Sequence, residues 1–179
     1  MDRIFDHARI LVKMGYFVLP LYDKDKHVLP NGCKGASTDL MMIEQWTTKY
    51  PDANIGIKSE NILVLDLDVN AKKDGVKDIA RISGELGPLP CCLVSLTGGG
   101  GRHLFLKRPA VDVIARNGVR WKGSTTAIDI IVGNRYIVAP PSIHPETGIP
   151  YQWEGPMIPV TDLPSLPQEW IERFLPVRY

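Results

Sequence analysis

The chain has 179 residues, of which 44% are hydrophobic and 23% charged, and a formal net charge of +1 at pH 7. That length suits one domain with a sizeable core, and the composition excludes a disordered or fibrous chain. A balance so near neutrality excludes a globally basic nucleic-acid binder, so any such partner must meet a local patch.

Taken in chain order, Ile4, Phe5, Ala8, Leu11 and Val12 recur at helical spacing, and Gly15 supplies a helix stop. Tyr16 to Leu21 then reads as a strand. Asp23 to Ser37 is polar, with Pro30 and Gly32, and reads as a long loop of the kind that carries function. Thr38 or Asp39 caps a helix to about Tyr50, with Ile43 and Trp46 inward and Pro51 ending it. Asn54 to Lys58 and Ile62 to Val69 read as strands. Asp78 to Leu86 reads as a helix and Cys91 to Leu96 as the next strand, which makes a β-α-β unit.

The second half is strand-rich. Arg102 to Lys107, Val119 to Lys122, Ala127 to Val132 and Tyr136 to Ala139 read as strands, with Gly133-Asn134 turning between the last two. Pro140-Pro141 forces an extended exit. Ile149 to Trp153 is a further short strand, and a helix around Glu169 to Leu175 docks through Trp170 and Phe174. Cys33, Cys91 and Cys92 form no Cys-x-x-Cys pair, which argues for a reducing compartment and against structural zinc. Asp2 and Asp6 interrupt any leader before Leu21, and no apolar run spans a bilayer. The chain reads as cytoplasmic, with no membrane partner.

Three features carry chemistry. Ile62-Leu63-Val64-Leu65-Asp66-Leu67-Asp68-Val69 is a buried-strand sequence broken by two carboxylates. Residues two apart on a strand share a face, so Asp66 and Asp68 stand side by side and call for a cation, unless the strand simply runs out into water. Hard oxygen ligands suit Mg²⁺ or Mn²⁺. Thr97-Gly98-Gly99-Gly100-Gly101-Arg102-His103 is a glycine turn whose amides can approach phosphate, followed by two donor side chains; its bland reading is a hairpin. It is not a Walker loop. In Ala127-Ile128-Asp129-Ile130-Ile131-Val132 a lone carboxylate again breaks an apolar strand, either as a metal ligand or as half of an ion pair with a residue such as Arg120. Ser142 and His144 end a stiff proline loop.

In this order, Asp66-x-Asp68, Gly-Arg-His103 and hydrophobic-Asp129 resemble the three motifs of the archaeo-eukaryotic primase superfamily. The match is closer to the bifunctional primase/polymerase (prim-pol) domain of phage, prophage and plasmid replication proteins. Gly15-Tyr16-Phe17-Val18-Leu19-Pro20-Leu21, Ala36-Ser37-Thr38-Asp39, Trp46, Pro51-x-x-Asn54-Ile55-Gly56-Ile57 and Leu89-Pro90 agree. So do Ala139-Pro140-Pro141-Ser142-x-His144 and Tyr151-x-Trp153. The resemblance runs from about Ile10 to Trp153.

It implies an α+β fold: a mixed β-sheet core like an RNA-recognition sheet, flanked by helices, with a small N-terminal α/β lobe and the active site in the cleft. Residues 1–179 read as one catalytic domain. Most relatives are longer and carry a helicase or a helical priming module after it, so the resemblance implies a domain excised from a longer replication protein, with a fused or associated helicase. It further implies a nucleotidyltransferase, a DNA primase/polymerase acting on a single-stranded DNA template with NTP or dNTP. Asp66, Asp68 and Asp129 are its metal ligands for two Mg²⁺ or Mn²⁺ ions, with no zinc. His103 contacts the nucleotide triphosphate, supported by Arg102, Gly100 and Gly101, and by Ser142 and His144. Lys24, Lys26, Lys34, Lys122 and Arg135 are candidates for backbone contact with DNA. Related sequences often carry Pro-Ser where this chain has Gly98-Gly99, which leaves the turn freer, and a basic residue where it has Ile131. The competing readings are a silent single-strand-binding module stacking bases on Phe105, Trp121 and Tyr136, and a metal-dependent replication-initiator nickase. For the latter, only His103 and His144 could form the histidine pair.

Overall fold

The computed structural model describes residues 4–22 and 32–178. Residues 23–31, which include Lys24, Lys26 and most of the expected long loop, lie outside the described residues. The periodicity at the N-terminus yields helix α1 (Ile4–Lys13), with Ala8 and Leu11 buried, and strand β1 (Phe17–Leu21) follows. Asp39 starts helix α2 (Leu40–Lys49), its Oδ1 accepting the Met41 N–H at 2.8 Å. Strand β2 (Asn54–Lys58) lies between β1 and a strand near the other end of the chain, β11 (Tyr136–Ala139), in a three-stranded antiparallel sheet. The small lobe is therefore not purely N-terminal: it borrows β11 from the second half.

The main sheet contains β3 (Ile62–Leu67), β6 (Leu93–Leu96), β7 (Arg102–Lys107), β10 (Ile128–Val132) and β12 (Gln152–Glu154), in the order β10-β3-β7-β6-β12. All neighbours are antiparallel. Since β3 and β6 both run against β7, they are parallel to each other with β7 between them. The expected β-α-β unit is thus a split one, closed by helix α3 (Gly75–Leu86).

Several boundaries differ from expectation for local reasons. Strand β3 ends at Leu67 because Asp68 turns: its carbonyl accepts the Gly75 N–H at 2.7 Å, around the ribbon β4 (Val69–Asn70) and β5 (Lys73–Asp74). Helix α3 starts at Gly75, three residues before Asp78, because Asp74 caps it by accepting the Lys77 N–H at 3.0 Å. Val119 to Lys122 contracts to β8 (Arg120–Trp121), which folds back on β9 (Ser124–Thr125). The last helix, α4, spans Gln168–Arg173.

Strand alternation then divides the core into two layers. Leu63, Leu65, Leu104, Leu106, Ile128 and Ile130 pack beneath α3 and α4, where Trp170 and Phe174 are buried. On the opposite face Ile62, Val64, Leu93, Phe105 and Ile131 pack against Ala8, Leu11, Ile43, Ile55 and Ile57 of the small lobe. The lobe covers only part of that face, and the remainder forms the wall of a cleft.

Candidate active site

Register brings the acids together. Asp129 on β10 faces Asp66 on β3, Asp66 faces His103 on β7, and His103 faces Ser95 on β6. Two residues along each strand, on the same face, lie Ile131, Val64, Phe105 and Leu93, mutually paired and all within the core under the small lobe. Within one pleat the same face changes from wholly apolar to wholly polar. A row of four polar side chains across four strands is costly to bury unless each has a partner, and its two central members, Asp66 and His103, line a cavity of about 790 Å³.

His103 is only 4% exposed. Its Nδ1 lies 3.0 Å from the Ser95 hydroxyl, which is fully buried, and its Nε2 lies 3.6 Å from Asp66 Oδ1. Ser95 thereby sets the ring plane and leaves Nε2 on the acid side. Asp129 accepts the Gly118 N–H through Oδ1 at 2.7 Å. Burial pushes its carboxyl above the usual carboxylate range and the charge of Asp68 adds to this, against the Gly118 hydrogen bond, Lys73 and Arg135. Asp68 stands at the rim with Oδ2 3.5 Å from Lys73 Nζ.

The divalent ions that the resemblance implies can be tested against these residues. Directly opposed residues on antiparallel strands have Cβ atoms about 4.5–5.5 Å apart, so Asp66 and Asp129 are neighbours, and Asp68 follows Asp66 by two. The donors are hard oxygens and the local charge is an excess of acids, both suited to Mg²⁺ or Mn²⁺. The carboxylates themselves are turned to Gly118, Lys73 and His103. Among the described residues no three His, Cys, Asp or Glu side chains converge closely enough to hold an ion. The backbone and donor chemistry fit such ions, and the side chains would have to rotate to hold one.

The glycine turn is built by packing as well as by freedom. Thr97 clamps it, its Oγ1 accepting the Gly101 N–H at 2.9 Å and its N–H donating to the Gly101 carbonyl at 3.0 Å. A Cβ on Gly101 would stand 2.4 Å from the Leu67 carbonyl oxygen, and one on Gly98 2.4 Å from that of Ile149. Beyond the turn, the Tyr151 ring lies 5.8 Å from His103 on one side and 5.8 Å from His144 on the other.

Of the residues singled out by sequence, Asp66, Asp68, Gly101, His103, Arg135 and His144 line the cavity. Asp129 lies just behind the Asn117–Gly118 turn, and Arg135 Nη1 donates to Asn117 Oδ1 at 3.0 Å on that rim. Gly100, at φ +90, is the exposed corner of its turn. Others are placed elsewhere. Arg102 pairs with Leu67, on the face opposite His103, and its Nη1 lies 3.7 Å from Glu154. Ser142 is spent on the backbone of β2: Oγ accepts the Ile55 N–H at 2.8 Å and donates to the Ile55 carbonyl at 3.0 Å. Lys122 binds Glu85 of α3 at 2.6 Å, on the far side of the sheet. Lys34 is exposed on a short 3₁₀ turn whose Cys33 reaches the cavity.

Sequence reasoning passed over Ser95, Lys73, Gly118 and the hydroxyl of Tyr151. Ser95 alone had a signal, a polar residue at an inward position of an apolar strand. The others come from turns and loops whose partners register does not reveal. No helix among the described residues is long and apolar enough to cross a membrane. Compared with known families, residues 8–169 match the one described as Bifunctional DNA primase/polymerase, N-terminal (Prim-Pol). No curated protein is significantly similar to the chain.

Proposed function

The chain belongs to the Prim-Pol family of bifunctional DNA primase/polymerases, and from that premise we propose that it is a template-directed nucleotidyltransferase whose reaction centre is the Asp129–Asp66–His103 row. The observation that carries this reading is the one pleat, two residues along each strand, over which an apolar sheet face becomes acid, acid, imidazole and hydroxyl beside a cavity large enough for a nucleotide. Asp66, Asp68 and Asp129 would hold the divalent ions. When bound, such ions activate the attacking 3′-hydroxyl as Lewis acids and neutralise charge on the leaving pyrophosphate.

The protein's own groups supply the rest. His103, oriented by Ser95, presents Nε2 toward the triphosphate, where a donor stabilises charge that builds in transfer. Arg135, held at the rim by Asn117, faces the phosphate backbone of a single-stranded DNA template. The glycine turn lets an NTP or dNTP lie close to the backbone of Gly99 and Gly101. Of the three stacking candidates of a silent binding module, Phe105 and Trp121 are buried in opposite layers of the core, and Tyr136 alone of the three lines the cavity, half-buried. One ring favours the module less than the acid row favours the enzyme.

Primer extension on a single-stranded template, with NTP or dNTP and Mg²⁺ or Mn²⁺, tests the proposal. The wild-type chain incorporates nucleotides; folded Asp66→Ala and Asp129→Ala proteins do not. Near-normal extension by either variant removes the row from the chemistry.

A further inference from the structure

We propose that Tyr151 is a ligand-binding residue of the nucleotide site, donating its hydroxyl to the polyphosphate chain of the incoming nucleoside triphosphate. The inference rests on the nucleotide reading of the cavity and adds to it a residue and the part of the substrate that residue holds.

Tyr151 is 3% exposed and lines the cavity, yet among the described residues its hydroxyl makes no hydrogen bond. Buried tyrosine hydroxyls ordinarily find a partner. The polar side-chain atoms that are both sealed from solvent and unpartnered among the described residues are Trp46 Nε1 and Asn61 Oδ1. The Tyr151 oxygen is not one of them, so the little exposure the residue has includes its polar tip, which faces the cavity. The ring cannot turn away, because His103 and His144 flank it at equal distance.

The neighbours define what the hydroxyl can bind. His144 Nδ1 accepts the Glu146 N–H at 3.3 Å, so a neutral ring carries its proton on Nε2, the atom nearest Gly99. His103 presents Nε2 on the Asp66 side. From Asp66 to the glycine turn the wall therefore runs imidazole, phenol, imidazole, and the phenol at its centre brings a donor hydroxyl suited to an acceptor-rich ligand. Polyphosphate is such a ligand; a nucleobase edge or a sugar offers fewer acceptors. Burial, with the charges of Asp66 and Glu146, pushes the phenol far above its usual range, so it keeps its proton and acts as a donor. A tyrosine nucleophile of the nickase kind would need the opposite shift.

Tyr151→Phe removes one oxygen and keeps the ring. Calorimetric titration of the full chain and this variant with ATP, dATP and inorganic tripolyphosphate, each in Mg²⁺, reads the contact. The expected result is unchanged thermal stability with affinity lowered about tenfold for all three ligands, as for a lost hydrogen bond to a charged group. Wild-type affinity in the variant overturns the proposal. So does a loss confined to ATP and dATP with tripolyphosphate unaffected, which moves the contact to the nucleoside. If the wild-type chain binds none of the three, the nucleotide reading of the cavity itself fails and the inference falls with it.

Discussion

Ser95→Ala tests whether His103 works because it is held. The hydroxyl is fully buried and stands 3.0 Å from His103 Nδ1, while the imidazole is 4% exposed. Alanine preserves the shape and leaves a buried ring nitrogen without that partner, which costs about 1–3 kcal/mol. In a chain of this size each kcal/mol shifts Tm by roughly 2–4 °C, so the variant melts about 2–12 °C lower. The ring then turns about its χ torsions and Nε2 leaves its place beside Asp66. A misplacement on the order of 1 Å costs about 100-fold in rate, so extension falls about 10- to 100-fold at saturating nucleotide, with a changed pH profile. Differential scanning fluorimetry and single-nucleotide incorporation between pH 6 and 9 read both effects. An unchanged Tm would mean that the hydrogen bond contributes nothing. A lowered Tm with normal incorporation would mean that Ser95 only packs and that His103 needs no orienting.

Asp129→Asn separates stability from activity. The Asp129 carboxyl lies above its usual range in the folded chain, so the fold binds a proton more tightly than the unfolded chain does. Stability from this group is therefore present near pH 4 and is lost as pH rises through the raised value. In chelator at pH 7 the asparagine variant should melt at or above wild type, with the advantage gone near pH 4, while incorporation is abolished; a lower melting point at pH 7 would contradict the assignment. Ser142→Ala should cost about 1–3 kcal/mol through the orphaned Ile55 backbone groups and leave nucleotide affinity unchanged once folded. Intact stability with weakened nucleotide binding would instead restore Ser142 to the site.

Much of this site could be read from the chain because strands impose a period of two. Asp66 and Asp129 were legible as charges at positions where burial demands apolar residues, and their pairing needed only the register that antiparallel neighbours supply. The same period was available for Arg102 and points it away from His103, yet adjacency in sequence drew both toward one site. The partners of Ser142 and Lys122 were hidden for another reason: Ile55 and Glu85 are remote in sequence and belong to elements whose docking no local pattern encodes. The split of the β-α-β unit was equally hidden, since β7 inserts between its strands only after the glycine turn reverses the chain. The start of α3 was legible in principle, from Asp74 as a cap three residues before Lys77.

On the proposed reading the acid row gathers around divalent ions when substrate is present. Diffraction from crystals of the chain grown with Mn²⁺ and a non-hydrolysable nucleotide, recorded at the manganese edge, tests it most directly. The expected result is anomalous peaks coordinated by Asp66, Asp68 and Asp129 together, with Asp129 Oδ1 released from Gly118 or shared with it, and the triphosphate toward His103. Manganese bound at other residues, or a nucleotide seated in the cavity with no ion on the three aspartates, would contradict it.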